Sequence, residues 1–219
     1  LRVTFDTNTL DPITQPDLAG SMRAECTTIH AALQSKRLEG FFCETILTVE
    51  GQPQRDDTVA RVQRALDLGM RILSAPRAGS TRILSGDLYA SDVDESTRLQ
   101  RYSSIASAIE SRGLGFARMS KIARVLAPGG SDSESANSNR AIASGEARRV
   151  ARAVAEWADG DSVAAHHSYA NDLFCTQDRA KRAGRDSILH PAHRGWLRRV
   201  YGVEFVDIAE LAARLGRFD

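Results

Sequence analysis

The sequence predicts an α/β fold, a parallel sheet covered by helices. Three observations carry that expectation. Short apolar runs of strand length alternate with amphipathic helical stretches nearly to the end of the chain, which is the pattern of strands joined by helical crossovers. Several of those runs end in an acidic residue, the first being Val3–Phe5 running into Asp6-Thr7-Asn8. The 219 residues, 42% hydrophobic and 26% charged, suffice to bury a sizeable core.

The elements follow in order. Residues 1–5, LRVTF, read as a buried first strand. Residues 19–38 read as a helix with Ala24, Ile29, Ala32 and Leu33 on its apolar face, stopped at Gly40. FFCETILTVE, 41–50, begins as a strand, and its state before Glu50 is left open. Residues 56–73 form a second amphipathic helix with Asp56 or Asp57 as N-cap, passing through Gly69 into a short strand at 70–73. Leu99, Tyr102, Ile105, Ala106 and Ile109 line one side of a helix over 94–113. The stretch 126–141 is rich in Gly, Ser, Asn and Asp and cannot bury a core, so a mobile loop is expected. A strong helix over 141–158 and a shorter one over 161–170 come next, the second headed by Asp161. A turn and strand at 171–176, a strand at 203–208 and a closing helix at 209–216 complete the pattern. The expected organisation is a single domain over 1–219 with a helical insertion at about 77–155, a stretch without an assignable motif.

Bulk properties exclude several classes. A net charge of +1 gives no global argument for a polyanionic partner, so such an argument must come from local clusters. No apolar run is long enough to span a membrane, and no secretory signal is visible. Cys26, Cys43 and Cys175 are odd in number, far apart and set among apolar neighbours, which fits reduced structural thiols and a cytoplasmic location. No CxxC or Cys/His zinc spacing occurs, and no P-loop, GxGxxG or GxSxG.

The acids at strand ends are the chemical signal. Ligands of parallel sheets bind beyond the carboxyl ends of the strands. Asp6 follows the first strand, Asp178 follows the strand before it in LFCTQD, Asp161 heads a helix and Glu50 follows the second strand region. Four converging carboxylates would repel one another. A hard divalent cation, Mg²⁺ or Mn²⁺, relieves that conflict through oxygen ligands. Each acid also has a plainer use: Asp161 and Asp178 as helix caps, Asp6 as a turn residue bonded to its own backbone, Glu50 as a solvated surface acid.

Four segments, FDTNTL (5–10), LTVEG with Glu50, DGDSVAAHHSYANDLFCTQDRAK (159–181) and GVEFVDIAEL (202–211), together resemble the PIN-domain family of nucleases over about residues 1–75 and 155–219. The resemblance implies a three-layer α/β sandwich and a metal-dependent nuclease site in which Asp6, Glu50, Asp161 and Asp178 are the acidic cluster. In it Asp6 and Asp178 bind Mg²⁺ or Mn²⁺ directly, Asp161 completes the shell or orients a bound water, and Glu50 is a ligand or proton acceptor. Asn8 and Thr176 support the acids, Asp172 is a further acid near them, and Asp159 replaces Asp161 if the helix starts earlier. The activity implied is endonucleolytic hydrolysis of RNA; many small bacterial relatives are toxins held by an antitoxin, and family members often form homodimers.

Adjacent His166 and His167 point about 100° apart on a helix, so one is expected to face the sheet and one the solvent. Basic runs at 146–152, 179–185 and 194–202 can meet a phosphate backbone, with Arg179, Lys181 and Arg182 the foremost substrate-binding candidates. Trp196 and Tyr201 are expected to pack rather than to stack on bases. Cys175 lies within a strand, where burial raises a thiol's pKa and makes it a poor nucleophile. Two alternatives stand beside the ribonuclease: a non-catalytic scaffold that binds RNA or protein, and another Mg²⁺-dependent phosphohydrolase. The second is disfavoured because Asp6-Thr7-Asn8 lacks the second acid of a DxD loop.

Overall fold

The computed structural model describes residues 1–48, 55–78, 86–126, 147–180 and 184–217. Five strands, β1 (Arg2–Phe5), β2 (Glu39–Cys43), β3 (Arg71–Leu73), β4 (Leu173–Cys175) and β5 (Glu204–Val206), form one parallel sheet in the order β3-β2-β1-β4-β5. The helices among the described residues are α1 (Thr7–Thr14), α2 (Arg23–Gln34), α3 (Thr45–Thr48), α4 (Arg55–Asp67), α5 (Glu95–Glu110), α6 (Phe116–Leu126), α7 (Ala147–Ser168), α8 (Pro191–Tyr201) and α9 (Ile208–Leu215). The architecture is a three-layer α/β sandwich, as the sequence predicts.

Alternation along the strands builds a separate core on each face. Val3, Phe5, Phe42, Ile72, Leu173 and Cys175 point to one side and pack with Leu10, Ile29, Leu33, Ala65 and Leu211 from α1, α2, α4 and α9. Phe41, Cys43, Leu73 and Phe174 point to the other and pack with Tyr102, Ile105, Val163, Ala164 and Leu197 from α5, α7 and α8. The three cysteines are buried and free. No helix among the described residues is long and apolar enough to cross a membrane.

Two features depart from the sequence expectation. The helices expected at 141–158 and 161–170 are one 22-residue helix, α7, so Asp161 lies inside a helix instead of heading one. Gly160 does not break it, and its missing side chain has a packing use. A Cβ there would lie 3.2 Å from Gly115 Cα, where the start of α6 crosses α7. Helix α4 ends at Asp67, and the chain turns through Gly69 at φ +83° before β3.

The strand order decides where a ligand would bind. From β1 the chain steps through β2 to β3 on one side, then returns to place β4 on the other side of β1 and β5 beyond it. The switch point therefore lies between β1 and β4, and the carboxyl ends of these two strands open the crevice there.

Candidate active site

Asp6 and Asp178 follow the two strands that flank this switch point. Asp6 caps α1, and its Oδ1 accepts the Thr7 backbone N–H at 2.8 Å. Its Oδ2 accepts the Thr176 hydroxyl at 2.5 Å and the Asn8 amide at 2.6 Å. The plain use of Asp6 as a cap and its place at the candidate site thus coexist. Thr176 Oγ1 also accepts the Asp178 backbone N–H at 3.0 Å, so one hydroxyl links the segments that carry both aspartates. Asn8 is held in turn, because its Oδ1 accepts the Gln177 N–H at 3.0 Å. Asp178 Oδ1 accepts the Ala180 N–H at 2.6 Å and shapes the turn after β4. Asn8 and Thr176 therefore both lie against Asp6.

The electrostatics of Asp6 follow from this placement. Burial raises its pKa above the usual carboxylate value, and the nearby charge of Asp178 raises it further. Hydrogen bonds from Thr176, Thr7 and Asn8 oppose the rise but do not cancel it.

Asp161 is fully buried and faces a cation of the protein itself. Its Oδ1 pairs with Arg77 Nη2 at 2.6 Å, and its Oδ2 accepts the Trp157 indole N–H at 3.0 Å. Arg77 also pairs with Glu110 and lies over the Tyr102 ring, its guanidinium carbon 5.6 Å from the centroid. Burial raises the Asp161 pKa even so, the opposing pull of Arg77 being the smaller.

Asp172 is corrected outright. It precedes β4 and lies at the amino end of the sheet, where its backbone N–H reaches Arg2 O at 2.9 Å and its Oδ2 accepts the Arg2 N–H at 2.8 Å. It is at the opposite end from Asp6. Glu50, Lys181 and Arg182 lie outside the described residues. Arg179 is exposed and paired with Asp207 at 3.0 Å. His166 is buried, its Nδ1 2.9 Å from Thr4 Oγ1, with its pKa pushed down by burial to about 3. His167 is partly exposed and meets Tyr201 edge to face. Trp196 and Tyr201 pack against the second core.

Three further buried or half-buried charged residues carry only weak signals in the sequence. Glu44 follows β2 in a bonded pocket: Oε1 accepts the Ser74 hydroxyl at 3.0 Å and the Ala75 N–H at 2.5 Å, and Oε2 accepts the Tyr89 hydroxyl at 3.1 Å. A lone acid inside the apolar run FFCET was the available signal. Glu156, on α7, is buried and accepts the Ile188 N–H at 2.5 Å. Burial raises its pKa to about 7, and the charge of Asp178 adds to the rise. Arg194, on α8, donates from Nε to Leu189 O at 2.7 Å and from Nη2 to Asp178 O. The sequence shows it only as one basic residue of a run.

The donor set suits a hard cation in kind, being all oxygen at the crevice. Among the described residues, however, no group of three or more His, Cys, Asp or Glu side chains gathers to hold a metal. Comparison with protein-family models, with curated proteins and with solved structures finds no match for the chain.

Proposed function

We propose that the protein is a metal-dependent ribonuclease whose reaction takes place over Asp6 and Asp178. The observation that carries this reading is the placement of two aspartates just after β1 and β4, at the switch point of a parallel sheet, where the Thr176 hydroxyl bonds the Asp6 carboxylate and the Asp178 backbone N–H. Asp6 is held above its ordinary pKa by burial and by its neighbour, a conflict that a divalent cation relieves. Mg²⁺ is commonly held by one or two carboxylates, with water and substrate phosphate completing its shell. Asp6 and Asp178 are the residues that would hold Mg²⁺ or Mn²⁺, and Glu50 is proposed as a third acid of the site. When bound, the cation supplies Lewis acidity at a phosphoryl oxygen and a more acidic water.

The remaining work belongs to the chain. Thr176 and Asn8 fix the Asp6 carboxylate, and Asn8 is itself fixed by the Gln177 N–H. The turn closed by Asp178 and Ala180 sets where the second carboxylate points. Asp161 has no ligand role in this reading, because Arg77 already neutralises it.

The test is cleavage of labelled RNAs with Mg²⁺ or Mn²⁺, with EDTA, and with Asp178→Asn. The expected result is cutting that EDTA abolishes and that the variant lowers by roughly two orders of magnitude. Cutting that survives both treatments overturns the assignment. The capture of Asp161 by Arg77 favours a second reading, a scaffold that binds RNA without cutting it. RNA bound equally by wild type and variant, with no cleavage under either metal, selects that alternative.

A further inference from the structure

Beside the aspartates runs a groove of about 410 Å³ between α8 and the β5–α9 end of the sheet. Thr176, whose hydroxyl touches Asp6, lies at its wall, and Arg194, Arg198 and Phe205 line it further along. We propose that this groove is the track for the RNA backbone, with Arg194 and Arg198 as its phosphate contacts; the proposal rests on the ribonuclease reading.

Charge use within the groove points to these two residues. Three acids also line it, two of them paired with arginines and the third bonded to a backbone N–H. Glu204 pairs with Arg214 at 2.5 Å, Asp207 with Arg179 at 3.0 Å, and Glu210 accepts the Asp207 N–H at 2.9 Å. Arg179 is thereby spent as well. Arg194 and Arg198 have no carboxylate partner within salt-bridge distance among the described residues. Arg194 is anchored by two backbone carbonyls, Leu189 O and Asp178 O, which take two of its five N–H donors. The anchoring fixes a guanidinium beside the candidate site while leaving donors for a phosphate. Its guanidinium carbon lies 5.1 Å from the centroid of the half-buried Phe205 ring, a contact that further fixes the guanidinium in the groove. Arg198 lies four residues further along α8, on the same helix face and about 6 Å along the axis. Two arginines one helical turn apart and lining one groove can reach successive phosphates of one strand.

The test uses the full chain, a short fluorescein-labelled single-stranded RNA and EDTA, which separates binding from metal-dependent cleavage. Anisotropy is followed against salt for wild type, Arg198→Gln, Arg194→Lys and Arg199→Gln. Arg199 is exposed on α8 outside the groove lining and controls for loss of charge alone. Arg198→Gln is expected to weaken binding about tenfold at low salt and to reduce the slope of log K against log salt by about 0.7. Arg194→Lys is expected to weaken it as well, since an ammonium cannot hold both carbonyls and still present a planar fork. Arg199→Gln should change affinity by less than about twofold. Equal effects of Arg198→Gln and Arg199→Gln overturn the track. Wild-type cleavage with binding unchanged in Arg198→Gln and Arg194→Lys overturns it while leaving the ribonuclease standing. A wild type that neither binds nor cuts RNA overturns both. Arg198 is exposed, so its variant stays informative even if Arg194→Lys folds poorly.

Discussion

Thr176 is the residue on which the candidate site turns. Its hydroxyl donates to Asp6 Oδ2 and accepts from the Asp178 backbone and, at 3.3 Å, from the Asn8 amide. Thr176→Val keeps the shape and removes all three bonds. The expected cost is about 1–3 kcal/mol in urea unfolding, because buried polar groups lose their partner. Thr176→Ser should recover most of it, and equal stability of the valine and serine variants would contradict the bridging role. Much of this corner was legible in the sequence: FDTN and FCTQD each end a strand in polar residues of matching type. The misplacement of Asp172 was also legible in principle. It stands before β4 while Asp178 stands after it, and a strand separates its two ends in space. The partner of Asp161 was not legible, since Arg77 is 84 residues away in a stretch without a motif.

At the scale of elements, α7 organises the second face of the sheet. Gly160-Asp161 reads in sequence as a stop followed by an N-cap, which is why two helices were expected there. Tertiary contact explains the difference: the glycine lets α6 approach and the aspartate meets Arg77. Gly160→Val should therefore lower stability by about 1–3 kcal/mol in thermal melts through overpacking against Gly115. A gain in stability, as helix propensity alone would give, would contradict the close approach. Arg77→Met leaves a buried carboxylate unpaired and should cost about 3–5 kcal/mol. Adding Asp161→Asn should return a large part of that loss, because the amide carries no charge. Additive losses in the double variant would show that the two side chains do not act as a pair.

Over the whole molecule, two buried groups act on stability in opposite directions with pH. Glu156 titrates near 7 in the fold against an ordinary 4.5, so it contributes stability below pH 4.5 that is lost as pH rises to about 7. His166 titrates near 3 against 6.5, so its contribution is present above pH 6.5 and lost as pH falls toward 3. The two trends oppose each other between about pH 4.5 and 6.5. Asp6 and Asp161, also raised, act in the same direction as Glu156. Glu156→Gln keeps an acceptor for the Ile188 N–H and removes the charge. It should exceed wild type by about 3 kcal/mol in urea unfolding at pH 8 and by little at pH 5. An equal difference at both values would show that Glu156 does not titrate as its burial dictates. The parallel sheet and its two cores were legible from the alternation of strands and helices, whereas these opposing titrations arise from burial that only the packed fold creates.

The most direct measurement is a Mn²⁺ titration by calorimetry of wild type, Asp6→Asn and Asp178→Asn, each first shown to be folded. Saturable binding in wild type that is lost in both variants is the predicted result. A flat wild-type titration, or binding unchanged by both substitutions, would contradict a metal-dependent site over these two aspartates.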